Sequence, residues 1–317
     1  MYNAAIIGTG QLGSRHLQGL KTASLPFKIW VMDKSEDSLN IAKQRYDSVA
    51  AIGEKEIELV TDIEQLPTQL DFVVIATGSK PRASIVKSLI DYSDVKYMIL
   101  EKVLFPRLSD YDEIGNLINK RGVKCWVNCG RRLLSYPYDI KKSLSGSQIS
   151  MKYKGANWGL CCNSIHIIDL FMFLTDEKEF TIDTSGLYRE VYESKRNGYI
   201  ELFGEIIITT KKGSKLYIKC DYSESIVPPI IEIEDGSRNI KVDESKHELL
   251  IDDVKSTYQM PYQSEMTGLY ADLIVKTGNC ALSTLELSSQ YHKVFIQSIL
   301  DFYNSVNENK TDLCPIT

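Results

Sequence analysis

The sequence predicts an α/β protein in two parts: an N-terminal doubly wound parallel sheet, then an α+β domain built on a mostly antiparallel, open-faced sheet. Three observations predict it. Apolar strand-like runs alternate with helical patterns up to about residue 128. Beyond about residue 130, strand-like segments dominate, with hairpin-turn signals at Lys212-Gly213 and Asp235-Gly236. The length of 317 residues is long for one core and suits two.

The elements follow in order. Residues 4–7 read as a strand and 12–20 as the start of a helix. Residues 29–32 form a second strand. Residues 35–46 are helical, with Leu39, Ala42 and Tyr46 on one side. Residues 72–76 are continuously apolar, as a strand covered on both faces should be. Helix at 84–91, strand at 97–100, helix at 111–119 and strand at 125–128 continue the alternation, which implies a parallel sheet. In the second part, residues 149–153, 200–210, 215–222, 230–234, 240–242 and 249–252 read as strands. Leu216, Ile218, Cys220 and Tyr222 share one face; Tyr217, Lys219 and Asp221 share the other. That alternation suits an antiparallel sheet with one face covered. Helices at 263–276 and 285–303 close the chain. The domains are therefore expected at 1–128 and 129–317, with the C-terminal tail able to return to the first.

Composition excludes several classes. The net charge of -5 is spread along the chain and leaves no basic stripe, so nucleic acid is not an expected partner. Nor is an anionic membrane. The apolar stretch at 165–174 is broken by His166 and Asp169 and falls short of the roughly 20 residues that span a bilayer. The opening MYNAAIIGTG has no basic segment ahead of a long apolar run, so no secretory signal is expected. The seven cysteines are odd in number and lack paired C-x-x-C spacing, so no metal site is expected. Reduced thiols in a cytoplasmic protein fit this pattern.

The chemistry-bearing motif is Gly8-Thr9-Gly10-Gln11-Leu12-Gly13. The pattern G-x-G-x-x-G is weak alone, but here a strand precedes it, a helix follows and an acid ends the next strand. Gly8 allows the tight turn, Gly10 lets the backbone approach a pyrophosphate, and Gly13 lets helix and strand pack closely. The helix start offers amide N–H groups and partial positive charge to phosphate. This turn is expected to bind a dinucleotide. Asp33, 20 residues beyond Gly13, is placed to accept hydrogen bonds from ribose hydroxyls and to repel a 2′-phosphate, which favours NAD. Lys34 beside it leaves NADP possible.

Taken with four segments, the sequence resembles the glucose–fructose oxidoreductase / inositol dehydrogenase / MocA (Gfo/Idh/MocA) family. The first is the extended turn GTGQLGSRH, with Arg15 and His16. The second is Ala76-Thr77-Gly78-Ser79 followed by Pro81. The third is Glu101-Lys102-Val103, similar to a Glu-Lys-Pro segment. The fourth is NSIHIID at 163–169, similar to a His-x-x-Asp segment opening a helix. The resemblance covers essentially the whole chain. It departs at Val103, where a proline often makes a cis bond; a non-proline cis bond costs about 2.5–4 kcal/mol, so a different turn is expected. It departs again at Cys162, where many members carry an aspartate four residues before the histidine.

The resemblance implies an NAD(P)-dependent Rossmann oxidoreductase. Hydride would pass between nicotinamide and a hydroxyl or keto carbon of a sugar, polyol or nucleotide- or acyl-modified sugar. It implies that Gly8, Gly10, Gln11, Leu12, Gly13, Asp33, Lys34, Thr77, Gly78, Glu101 and Lys102 hold the cofactor. Lys102 is the expected polarising group, at the carboxyl edge of the sheet where ligands of open α/β folds bind. Glu101 would hold the lysine or its backbone. His166 is the expected proton acceptor, with Asp169 able to orient its ring. Arg131, in Gly130-Arg131-Arg132, is a candidate for bidentate anion binding or for an inter-domain ion pair. Trp158 and Asn163 are candidates to line a substrate pocket, Trp158 being equally a core residue. His16 is expected to pack near the cofactor loop, His247 to be solvated and His292 to be structural. An NAD-retaining glycosidase and a non-enzymatic NAD-binding sensor are the alternatives. An exposed apolar face of the second sheet is expected, covered in a homodimer or homotetramer.

Overall fold

The computed structural model describes residues 1–144 and 148–317, which divide into two compact units. Unit 1 comprises 1–105, 109–128 and 261–285; unit 2 comprises 106–108, 129–260 and 286–317.

Unit 1 holds β1 (Tyr2–Ile7), α1 (Gln11–Lys21), β2 (Phe27–Met32), α2 (Glu36–Asp47), β3 (Lys55–Val60), β4 (Gln69–Ile75), α3 (Ser79–Tyr92), β5 (Asp94–Leu100), most of α4 (Leu108–Lys120) and β6 (Lys124–Val127). The strands form one parallel sheet in the order β3-β2-β1-β4-β5-β6. The order reverses between β1 and β4, which puts the switch point at the glycine turn. The last four residues of β1, β4 and β5 are all buried, as expected of strands with helices on both faces. Ser35 caps α2 by accepting the Ser38 amide.

Unit 2 holds α5 (Tyr136–Ser143), β7 (Ser150–Ala156), α6 (Leu160–Thr175), β8 (Phe180–Leu187), the short β9 (Tyr192–Glu193) and β10 (Ile200–Glu201), β11 (Gly204–Thr210), β12 (Lys215–Asp221), β13 (Val227–Glu234), β14 (Asn239–Asp243), β15 (Glu248–Ile251) and β16 (Val254–Thr257). Its eight-stranded sheet runs β16-β15-β14-β13-β7-β12-β11-β8 and is antiparallel except at β7–β12. Both hairpin turns read in the sequence are present, with Gly213 and Gly236 at positive φ. Leu216, Ile218 and Cys220 are buried on the inner face, against which α6 packs. α7 (Gln263–Thr277) returns to unit 1, and nearly all of α8 (Leu285–Val306) lies in unit 2.

The outer face of the second sheet corrects an expectation. It is largely charged, not apolar: Lys152 meets Glu234 and Lys241 meets Glu232 across neighbouring strands, at 3.6 and 4.0 Å, and Lys154 of β7 reaches over β12 to Glu205 of β11 at 3.5 Å. Ile207, Tyr217 and Leu250 lie among them, half-buried. Among the described residues, no helix is long and apolar enough to cross a membrane.

Candidate active site

The glycine turn is built as its spacing requires. Gly8 follows β1 at φ +87°, and a Cβ there would come within 2.7 Å of Thr77 Cγ2. A Cβ at Gly13 would lie 1.8 Å from the Gly8 carbonyl oxygen, so helix and strand meet only through a glycine. Gly10 is different: nothing lies within 4 Å of its added Cβ, so its backbone faces open space. It is also the N-cap residue of α1, with no capping side chain and no acid in the first turn. The first helical bond runs from the Ser14 amide to the Gly10 carbonyl, leaving the amides of Gln11, Leu12 and Gly13 available to an anion.

Asp33 follows β2. One of its oxygens accepts the Thr9 amide at 2.7 Å and the Thr9 hydroxyl at 3.0 Å; the other accepts the Ser35 amide at 3.0 Å. The carboxylate thus braces the glycine turn. A cavity of ≈ 350 Å³ opens beside it, lined by Gly8, Asp33, Lys34, Thr77, Pro81 and Ile85 among others. Thr77 Oγ1 is buried there without a partner among the described residues. Gly78 is the N-cap residue of α3 and brings a second uncapped helix start to the same sheet edge. A backbone cradle open at Gly10, a cavity between the β2 and β4 ends and a buried hydroxyl lacking a partner fit a dinucleotide.

At the end of β5, Glu101 is 2% exposed. It accepts His16 Nε2 at 2.8 Å and the Asn128 side-chain amide. The same amide donates to Gln263 Oε1 at 2.8 Å, while His16 Nδ1 lies 3.0 Å from Thr267 Oγ1 and 3.1 Å from the Tyr270 hydroxyl. Burial alone would raise the Glu101 carboxyl. The hydrogen bond and charge of His16, the Asn128 amide and the charge of Lys102 outweigh it and hold the group below the ordinary carboxylate value. A carboxylate only accepts, so His16 Nε2 carries the proton it shares. Glu101 therefore holds a buried network drawn from α1, β6 and α7, beside the half-buried Lys102.

The Lys102–Val103 peptide is cis, so the turn keeps the geometry that was not expected with valine in place of proline. Arg82, absent from the sequence reading, holds this segment. Its guanidinium is 1% exposed and donates to the carbonyls of Leu104 at 2.8 Å, Val103 and Thr77. It ties the β4 and β5 ends together from α3.

Unit 2 carries the other candidates. His166 and Asn163 lie on α6, both half-buried; Asn163 donates to the Trp158 carbonyl at 2.8 Å. Trp158 is 9% exposed, donates to the Lys219 carbonyl at 3.1 Å and meets Tyr153 edge-on at 5.0 Å. It is held on the sheet by these contacts. Arg131 makes a two-pronged pair with Glu244 at 2.8 and 2.6 Å, and Tyr136 donates to the same carboxylate at 2.8 Å. Burial opposes both charges, but each outweighs it for the other: the guanidinium is held well above and the carboxyl below its ordinary value. The pair lies within unit 2, which corrects the inter-domain reading. The carboxylate of Asp169 is engaged by Arg132 at 2.7 and 3.0 Å, a partner the sequence reading had not assigned to it.

Unit 1 thus brings the glycine turn, Asp33, Lys34, Thr77, Gly78, Glu101 and Lys102 to one edge of its sheet. Unit 2 places Trp158, Asn163 and His166 on α6 and its approach.

The sequence matches no curated protein. Residues 2–129 match the GFO_IDH_MocA model, described as an oxidoreductase family with an NAD-binding Rossmann fold. Among solved structures, the UDP-N-acetylglucosamine 3-dehydrogenase of Acidithiobacillus ferrooxidans superposes with a TM-score of 0.75. The match covers 97% of this chain and 99% of that one, at 11% identity. The scyllo-inositol dehydrogenase of Lactobacillus casei, solved with NAD(H) and scyllo-inositol, gives 0.66 over 96% and 97%, at 15% identity. Gal80p of Saccharomyces cerevisiae, as a super-repressor mutant, gives 0.70 over 96% of each chain, at 14% identity. At these identities the likeness is one of fold. The family match spans the glycine turn, Asp33, Thr77 and Glu101-Lys102, and residues 2–129 of this chain are the NAD-binding Rossmann domain of the Gfo/Idh/MocA oxidoreductase family.

Proposed function

We propose that the chain is an NAD-dependent dehydrogenase acting on a hydroxyl-bearing carbon of a sugar, a polyol or a modified sugar. One observation carries this reading: Glu101, kept ionised in a buried network, stands next to Lys102 at the carboxyl edge of an NAD-binding sheet. Bound NAD would supply the hydride acceptor at nicotinamide. Gly10 and the α1 amides would hold the pyrophosphate, and Asp33 would favour NAD over NADP once it reaches the ribose. Lys102, next to Glu101, donates a hydrogen bond to the reacting oxygen. His166 takes the hydroxyl proton as the carbon gives up hydride, leaving a carbonyl. Arg131, Trp158 and Asn163 belong to the substrate side in this reading. Because Glu244 already takes the Arg131 guanidinium, a neutral polyol suits that side better than an anion. A homodimer or homotetramer through the second sheet would meet an ion-paired face, and its interface would be polar.

The test is hydride transfer to NAD across scyllo-inositol, myo-inositol, aldoses and UDP-N-acetylglucosamine, followed by nicotinamide absorbance. Lys102→Met and His166→Asn are each expected to cut kcat at least about 100-fold with NAD binding retained. Near-normal turnover in both variants would sink the mechanism. Turnover of substrate without net NADH would favour the NAD-retaining glycosidase reading, which the cysteine at 162 permits.

A further inference from the structure

The helix that carries His166 begins without a cap of its own. Gly159, its N-cap residue, sits at φ +84° with no side chain to offer, and the first turn holds no acid. The amides there are met by a carboxylate from a different element. Glu201, on β10, is 9% exposed. Its Oε1 accepts the Cys161 amide at 2.6 Å and the Leu202 amide at 3.2 Å, and the Cys162 amide bonds the same carboxyl. A Cβ at 159 would lie 3.3 Å from Glu201 Oε2 and 3.3 Å from Asn163 Nδ2. The glycine therefore leaves room for both groups at the head of the helix. β10 is itself pinned: the Ile200 amide donates to the Pro315 carbonyl at 2.8 Å, and Glu201 pairs with Tyr192 of β9. All these residues belong to unit 2.

We infer that Glu201 is a positioning residue for the reaction: from β10 it clamps the first turn of α6 and so fixes where Asn163 and His166 stand on that helix. The inference rests on His166 as the proton acceptor. His166 is five residues beyond Cys161, about 7.5 Å along the helix axis, so a slack first turn is felt at the ring. Hydrogen bonds from amides to a carboxylate are among the stronger ones, and a negative group suits a helix N-terminus. Burial raises the Glu201 carboxyl above its ordinary value, and the amides of Cys161, Leu202 and Cys162 only partly offset it. Position 162, where many members of the family carry an aspartate, holds a cysteine here; the carboxyl at the head of α6 comes from a strand 39 residues further on.

The experiment uses the full chain, the best substrate of the panel above, and kcat counted per NAD-binding site, so that loss of folded protein does not register. In Glu201→Ala, kcat is expected to fall roughly 10- to 100-fold with KM little changed, as for a slightly misplaced group. Glu201→Gln keeps an acceptor oxygen and is expected to recover most of that loss. Hydrogen exchange of the first-turn peptide should quicken in the alanine variant and not in the glutamine one. If the alanine variant does not fold, Glu201→Asp, one methylene short of the amides, replaces it with the same expected loss. Wild-type kcat per site in the alanine or aspartate variant, with only the melting temperature lowered, overturns the inference. If that result accompanies a large loss in His166→Asn, the functional reading stands and only the clamp falls. Wild-type turnover in His166→Asn removes the functional reading, and the inference with it.

Discussion

Glu101 shows how a single residue is decided by partners far away in the chain. Its carboxylate stays ionised at 2% exposure because His16 and Asn128 donate to it and Lys102 adds charge. Its folded-state pKa lies below the unfolded value, so its contribution to stability is present above the ordinary carboxylate range. That contribution is lost as pH falls through the lowered value. Glu101→Gln is expected to cost roughly 1–3 kcal/mol near neutral pH, because His16 Nε2 loses a charged acceptor in a buried site. The cost should shrink on acidification, since the wild type loses its advantage there. Denaturant unfolding at several pH values checks this; a constant difference down to strongly acidic pH would contradict it. Glu101 and Lys102 were legible as a pair of types at a strand end. Their setting was not, because Glu101 and His16 are 85 residues apart and His16 and Thr267 are 251 apart. Arg82 was invisible for a different reason: its acceptors are backbone carbonyls, which leave no mark in a sequence.

At the scale of elements, the glycine turn was readable because its requirements are local. The three glycines nevertheless do different work, and substitution separates them. Gly13→Ala puts a Cβ 1.8 Å from the Gly8 carbonyl, so α1 must move off β1, at a cost of typically 1–3 kcal/mol or more. Gly10→Ala meets nothing within 4 Å, so stability should hold while the new methyl occupies the space a pyrophosphate needs. The expected result is a lowered melting temperature for Gly13→Ala. For Gly10→Ala it is an unchanged melting temperature with at least tenfold weaker NAD binding, read by calorimetry. Equal NAD affinity in Gly10→Ala and wild type would show that the cofactor backbone does not approach there. Elements that escaped the sequence reading failed for identifiable reasons. β3 is an edge strand whose KEIELV alternates charge with apolar residues and is mostly exposed, so it lacks the apolar run of its neighbours. The stretch read as one strand at 200–210 is two, broken where Gly204 takes φ +112° against the Gly186 carbonyl. β8 carries Thr181, Asp183 and Ser185 on exposed positions and resembles a loop in composition.

The largest scale concerns which parts of the chain make one folded body. α7 comes from beyond residue 260 yet packs against α1 in unit 1. A Cβ at Gly268 would lie 2.5 Å from the Gly19 carbonyl, so the two helices approach closely there. Tyr270, Ala271 and Ile274 are at most 2% exposed, and Tyr270 meets the ring of Phe72 at 6.4 Å. Thr267 and Tyr270 also surround His16. Full burial of a large apolar side chain is worth about 1.5–3 kcal/mol. Removing this helix therefore takes several kcal/mol from a domain whose whole stability is expected to be about 5–15 kcal/mol. It also leaves His16 and Glu101 without their buried partners. A fragment of residues 1–128, the boundary the sequence suggests, is thus expected to melt without cooperativity and to bind NAD poorly. Joining residues 261–285 to it should restore both properties. The side chains of Asn128 and Gln263 are hydrogen-bonded at 2.8 Å, so a short glycine–serine linker can span the new junction. Calorimetric melting and NAD titration of the two fragments decide the matter. If residues 1–128 alone melt cooperatively and bind NAD as tightly as the joined form, α7 is an accessory to the nucleotide-binding body and not a part of it.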